Sequence, residues 1–214
     1  MATSVLKHLF PNGNYILSHL HHSADRLHSL SLVMENLIRE TDLKRRKELL
    51  IRSASIHQET VNESRALFET LSKNLITPFD REDIFALGTG IKILSSKTDS
   101  LIRYIEQNQC GTTQKGLMEL ANIFQKGSSV LLQVILALEK MRQHKSTYEL
   151  VLDLREIHNS LDELCEVYMA ESFDELDSIK EILINIDIYE YFNTLSAKLK
   201  ELGQTSEGFI VKYA

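Results

Sequence analysis

The sequence predicts an all-α fold: six long helices arranged as two tandem antiparallel three-helix bundles. Three observations predict it. The 214-residue chain holds only two prolines and eight glycines, so little interrupts a helix. Apolar residues recur at spacings of three and four along most of the length, the period of a helix face packed on a core. No comparable strand alternation accompanies them.

The first helix is expected from about Tyr15 to Arg39, turning Leu20, Ala24, Leu27, Met34 and Leu37 inward. Glu40-Thr41-Asp42 breaks it. The second carries Leu50, Ala54, His57, Val61, Ser64, Phe68, Leu71 and Leu75 on one seam. Thr77-Pro78 then ends it and opens the third. Thr77 can cap, Pro78 is tolerated at the first helical position, and Asp80, Glu82 and Asp83 suit the positive end of the helix dipole. The third seam is Leu87, Ile91, Leu94, Thr98, Leu101 and Ile105. Gly88-Thr89-Gly90 lies within it and reads as a close-packing point between helices. Cys110-Gly111-Thr112-Thr113 divides the chain into two triplets, residues 1–110 and 111–214, expected to form one continuous unit.

In the second triplet the fourth helix shows Leu117, Ala121, Phe124, Ser128, Leu131, Ile135 and Leu138. Its run from Val130 to Leu138 is too short for a membrane span of roughly 20 apolar residues and reads as a buried segment. After a break near His144 to Thr147 come Leu150, Leu154, Ile157, Leu161, Leu164 and Tyr168. After another near Ser172 to Asp177 come Ile188, Phe192, Leu195, Leu199 and Leu202. Ile56-His57-Gln58 echoes Ile157-His158-Asn159, a hint of duplication between the triplets.

The formal net charge is -6. An acidic chain without concentrated Lys and Arg is a poor nucleic-acid binder. The one basic run, Lys44-Arg45-Arg46-Lys47, reads as a solvated helix start. Cys110 and Cys165 have no Cys-x-x-Cys spacing, so no zinc or thioredoxin-like motif is implied. Two free thiols suit a reducing compartment. The segment from Met1 to Gly13 carries no secretory apolar core and no lipidation signal. A cytoplasmic protein without direct membrane insertion is expected.

Eight histidines raise the question of metal. His21, Asp25 and His28 share a helix face, yet the same pattern describes a polar surface face. A di-iron bundle needs two Glu-x-x-His motifs, and the chain has none. His57 sits in an apolar seam, where a histidine is usually a core residue. Glu59 with Glu63, and Glu156 near Asp162, could hold a cation or face water. No nucleophile elbow, phosphate loop or dinucleotide glycine pattern is present, so no enzyme is indicated.

The segment Leu75-Ile76-Thr77-Pro78-Phe79-Asp80-Arg81-Glu82-Asp83-Ile84 resembles the signature of the short PhoU-like family of phosphate-transport regulators, Phe-Ile-Thr-Pro-Phe-Asp-Arg-Glu-Asp-Ile. The closing run Glu207 to Ala214, the Ile188-Tyr189-Glu190 segment and Leu9-Phe10-Pro11 are also similar to that family, so the likeness spans the chain. It implies two tandem three-helix bundles and a non-enzymatic regulator. Such a protein would dock onto a membrane phosphate permease or a phosphate-sensing kinase. Relatives carry Glu-x-x-x-Asp motifs that can hold metal clusters.

Here the sequence departs. Counted without gaps from Thr77-Pro78-Phe79-Asp80, the implied ligand positions fall on His57 and Val61, on Lys92, Ile93 and Ser96, on His158 and Asp162, and on Asn193 and Ala197. A multinuclear cluster needs bridging carboxylates, so its loss is expected. A single divalent transition metal on His158 and Asp162, with His57 as a further candidate, is the residual metal reading. The alternatives are a metal-binding bundle and a structural scaffold. Partner identity and self-association stay open.

Overall fold

The structure, a computed structural model, describes residues 13–73, 77, 79–140, 144–175 and 178–213. Every element within them is helical: α1 (Gly13–Arg39), α2 (Leu43–Lys73), α3 (Arg81–Gln107), α4 (Leu117–Lys140), α5 (His144–Glu175) and α6 (Ile179–Tyr213). The N-terminal readings on Met1 to Asn12, together with Leu75, Ile76 and Pro78, lie outside the described residues.

Helices α1, α2 and α3 pack pairwise, as do α4, α5 and α6. The triplets meet along two further contacts, α1 on α4 and α3 on α6. At the first, Ala24 and Ser31 of α1 and Ala121 and Ser128 of α4 are all fully buried. Each pair is seven residues apart, the repeat that keeps small residues on one seam and lets two backbones approach at a shallow angle. Ser31 Oγ and Ser128 Oγ lie 2.9 Å apart there. At the second contact, a Cβ on Gly90 would stand 2.6 Å from Leu202 Cδ2. The glycine leaves room for the Leu202 side chain of α6 against α3. The apolar residues of both triplets join one core, in which each buried Leu, Ile or Phe contributes about 1.5–3 kcal/mol.

The expected seams of α1, α3, α4 and α6 are buried throughout. In α2 the seam is rotated. Ala54 is exposed, His57 and Val61 are half-buried, and the buried positions are Arg46, Ser53, Thr60, Ser64, Leu67 and Leu71. Successive positions are three, four or seven residues apart, as on one helix face, but four of the six are polar, so hydropathy alone does not see them. Most of their polar groups are satisfied locally or across helices, while Ser64 Oγ is buried with no partner among the described residues. Thr60 Oγ1 donates to Ile56 O at 3.0 Å, and Ser53 Oγ donates to Asp99 Oδ1 of α3.

The basic run is likewise not a solvated start throughout. Arg46 is only 5% exposed. Its guanidinium donates to Glu106 Oε2 at 2.5 Å, Leu37 O at 2.9 Å, Glu40 O at 3.0 Å and Cys110 O at 3.2 Å. One side chain thus ties the end of α1, the start of α2 and the end of α3.

The start of α3 also differs from expectation. Asp80, not Thr77, is the N-cap; its Oδ1 accepts from Glu82 N–H at 3.0 Å. Thr77 Oγ1 instead donates to Phe79 O at 2.7 Å. The shift follows from Phe79, which is buried against Phe209 and Tyr213 at ring-centroid distances of 4.9 and 5.1 Å. Burying that ring delays the helix until Asp80. The end of α3 closes with Gln109 at φ 52. Cys110 N–H donates to Ile105 O at 2.9 Å and Gln109 N–H to Glu106 O at 3.0 Å, a Schellman closure. Helix α5 already runs from His144, so His144 to Thr147 lie within a helix and not in a break.

Candidate functional site

The positions implied as ligands lie on corresponding helix pairs of the two triplets: α2 with α3, and α5 with α6. Between α5 and α6 the sequence pairs His158 with Asp162 and Ser196 with Lys200, each four apart, so each pair shares a helix face. The structure joins them. His158 Nε2 lies 3.1 Å from Lys200 Nζ and 3.4 Å from Asp162 Oδ2. Its Nδ1 lies 2.7 Å from Ser196 Oγ, which donates to Asp162 Oδ1 at 3.0 Å. The proton assignment follows. An ammonium can only donate, so Nε2 accepts from Lys200 and Nδ1 carries the imidazole proton toward Ser196. His158 is 6% exposed. A cation needs a free imidazole lone pair and oxygen donors. Here the lone pair faces the Lys200 ammonium, which would have to swing away to admit one.

In the first triplet Val61 of α2 and Lys92 of α3 line a shared surface groove of about 400 Å³, with Ser64 and Phe68 along it. His57 stands one turn before Val61 with Nδ1 buried and unpaired. In the second triplet Asn193 Oδ1 is buried and unpaired. His57 is thus on a different helix pair from His158 and Asp162. Among the described residues, no three His, Cys, Asp or Glu side chains gather as a metal centre.

The remaining candidates resolve differently from their sequence reading. His28 does not join His21 and Asp25 on a surface face. Its Nδ1 lies 3.1 Å from Ser128 Oγ of α4, in the seam between triplets, while Asp25 is exposed. Glu59 is exposed and Glu63 half-buried, and each is paired with α1 rather than with the other. Glu63 accepts from the buried His19 Nδ1 at 2.6 Å, and Glu59 accepts from Arg26 Nε at 3.0 Å. Arg26 Nη2 also stands 3.6 Å from Glu63. This α1–α2 network was not legible in the chain, because its partners lie tens of residues apart with no local spacing. Both cysteines are free and buried. Burial pushes the Cys165 thiol up to about 12 and raises that of Cys110, so neither is an activated nucleophile.

The two segments that carry the strongest likeness meet in space. Lys212 Nζ donates to Asp80 Oδ2 at 2.6 Å and Asp83 Oδ2 at 3.0 Å. Tyr213 Oη accepts from Asp80 N–H at 2.5 Å and donates to Asp83 Oδ2 at 3.4 Å. Hydrogen bonding from Lys212, then from Glu82 N–H, holds the Asp80 carboxyl below its ordinary value. The start of α3 and the end of α6 are therefore clasped by charge over an aromatic base of Phe79, Phe209 and Tyr213.

Among the described residues one helix is long and apolar enough to cross a membrane, over Leu117–Leu138. In this fold it packs on α1, α5 and α6.

No family model matches the chain, and no curated protein matches it. Among solved structures, a PhoU-like protein from Shewanella oneidensis MR-1 superposes with a TM-score of 0.80 at 13% identity, covering 92% of this chain and 99% of that one. A second protein from the same organism, named as a PhoU-like phosphate regulatory protein, superposes with a TM-score of 0.67 at 13% identity over the same shares. The chain has the PhoU-like fold.

Proposed function

We propose that this protein is a non-enzymatic, cytoplasmic regulator of inorganic phosphate transport that works by docking its helices onto a phosphate permease or a phosphate-sensing kinase. The observation that carries the reading is the fold match over nearly the whole of both chains, one of the matched proteins being named as a phosphate regulatory protein. The paired Thr77–Ile84 and Glu207–Tyr213 segments support it, since they keep both the family-like sequence and a shared structural task. A non-catalytic role fits the buried thiols and the fully engaged His158 network. The same network, with Lys92 at another ligand position, supports a form of the fold that has shed its metal cluster.

The test is a pulldown from native cells grown at high and low phosphate, with metal content measured on the same sample, beside a gene deletion. Recovery of a phosphate permease or its kinase without stoichiometric metal is the expected result. Unchanged phosphate uptake and unchanged phosphate-responsive expression in the deletion strain would sink the reading. Metal at fixed stoichiometry would shift it to the metal-binding alternative on His158 and Asp162.

A further inference from the structure

The corner between α1 and α2 runs against a local preference. The first turn of α2 holds no acidic residue, although the amino end of a helix is positive and favours carboxylates. Asp42, just before it, caps this end, its Oδ1 accepting from Arg45 N–H at 2.9 Å, but Leu43 is followed by Lys44, Arg45, Arg46 and Lys47. Arg46 is consumed by the structural contacts described above, but Lys44, Arg45 and Lys47 are exposed. In a chain of net charge -6, this concentration of cations runs against the rest of the surface. Such departures from local preference mark places where something other than folding sets the residues.

A cleft of about 440 Å³ opens beside this turn, lined by Asn36, Arg39, Glu40, Arg45, Glu48 and Arg52. Arg39 closes the last turn of α1, and Arg45 and Arg52 stand seven residues apart on α2, so all three guanidinium groups reach one concavity. Among the described residues, neither Arg39 nor Arg52 has an ion-pair or hydrogen-bond partner. Arg45 has only a loose one, Glu40 Oε2 at 3.8 Å, and its own side chain is 73% exposed. Glu40 is largely occupied elsewhere: its Oε1 accepts from Thr41 N–H and Asp42 N–H, both at 2.9 Å. That leaves Glu48 as the one uncommitted carboxylate against three arginines.

From this geometry we propose that the α1–α2 corner is a binding site for a small polyanion bearing a di- or triphosphate group. Guanidinium forks bind phosphate oxygens in pairs, and their planar donors suit a ligand with several such oxygens. Concavity separates this site from a membrane or nucleic-acid surface, which calls for an extended basic face. None of the three arginines is a position implied as a metal ligand, and the proposal does not depend on the transport reading.

The experiment is calorimetric titration of the full chain with tripolyphosphate and with pyrophosphate, at low and at raised salt. Variants R45Q and R39Q/R52Q are run beside K73Q, a lysine of α2 away from the cleft. Arg46 is left intact because it holds the fold, and circular dichroism confirms that each variant is helical. The expected result is saturable binding that weakens with salt, falls about tenfold or more in R45Q and further in R39Q/R52Q, and is kept in K73Q. Absence of saturable binding to either probe overturns the proposal. So does affinity unchanged in the arginine variants, or reduced as much in K73Q. Binding to phosphatidylserine-containing vesicles but not to tripolyphosphate overturns it in favour of a lipid surface.

Discussion

Replacing Arg46 by Met is expected to destabilise the protein by about 3–5 kcal/mol, the cost of breaking a buried ion pair by removing one partner. Methionine keeps the aliphatic stem and much of the volume, so packing changes little. The lost groups are four: the contact with Glu106 at 2.5 Å and those with the carbonyls of Leu37, Glu40 and Cys110. Glu106 is the largest loss. Its side chain is 17% exposed, so its carboxylate cannot rehydrate fully once the guanidinium is gone. Each carbonyl left unpaired in the interior adds about 1–3 kcal/mol where water cannot reach it. A domain of this kind is stable by only about 5–15 kcal/mol, so the variant should unfold at a clearly lower urea concentration. The urea slope should stay unchanged, since the surface exposed on unfolding is the same. Adding Glu106→Gln should recover part of the loss, because a buried amide is less costly than a buried unpaired charge. A loss under about 1 kcal/mol, or a double variant no more stable than Arg46→Met, would refute the assignment of Arg46 as the tie between three helix ends.

Two further outcomes follow from the helix termini. The Asp80 carboxyl titrates below its ordinary value of 3.8 because of Lys212; its contribution is therefore complete above that value and lost as pH falls through the lower folded one. In Lys212→Met the stability gap to the native chain should narrow as pH drops below 3.8, and a gap that widens there in acid urea titrations contradicts the clasp. At the end of α3, Gln109 holds a left-handed conformation at φ 52, where a side chain costs about 1–2 kcal/mol. Gln109→Gly should raise stability by about 0.5–1 kcal/mol after the entropy of the unfolded glycine is deducted, and a lowered thermal midpoint would count against that backbone reading.

How much was legible in the sequence depended on what each helix buries. Helices α3, α4 and α6 read correctly because their inward residues are apolar, and periodicity in hydropathy reports them directly. Helix α2 did not. Its centre line runs through Arg46, Ser53, Thr60 and Ser64, so the flanking apolar residues pulled the expected seam aside. Helix α5 shows the milder form of the same effect. Leu154 and Leu161 are buried as expected, but Val151, His158 and Cys165 complete the buried face, while Leu150, Ile157 and Leu164 are only half-buried. This helix packs on both α4 and α6, and a face shared by two neighbours is wider than one stripe. His158 and Asp162 were legible together because a spacing of four is local. Ser196 and Lys200 share that spacing on α6, but nothing in the chain says that α6 faces α5 in that register.

The residues that carry the likeness to the PhoU-like signature are separate in the structure from the positions implied as metal ligands. Phe79, Asp80 and Asp83 of the signature are engaged by Phe209, Lys212 and Tyr213 of the closing run, which explains why both segments keep family-like sequence in a protein only 13% identical to structures it superposes on. A clasp that positions α3 against α6 constrains the geometry between the triplets and is expensive to change one residue at a time, since Asp80 serves as helix cap and ion-pair partner at once. The implied ligand positions carry no such double duty. At Lys92 a cation stands where a carboxylate is implied, and at His158 the ring lone pair faces Lys200. Asp80 and Lys212 therefore bear on the fold that the chain shares with those structures, and the docking and polyanion roles proposed above are decided by the binding experiments rather than by the clasp.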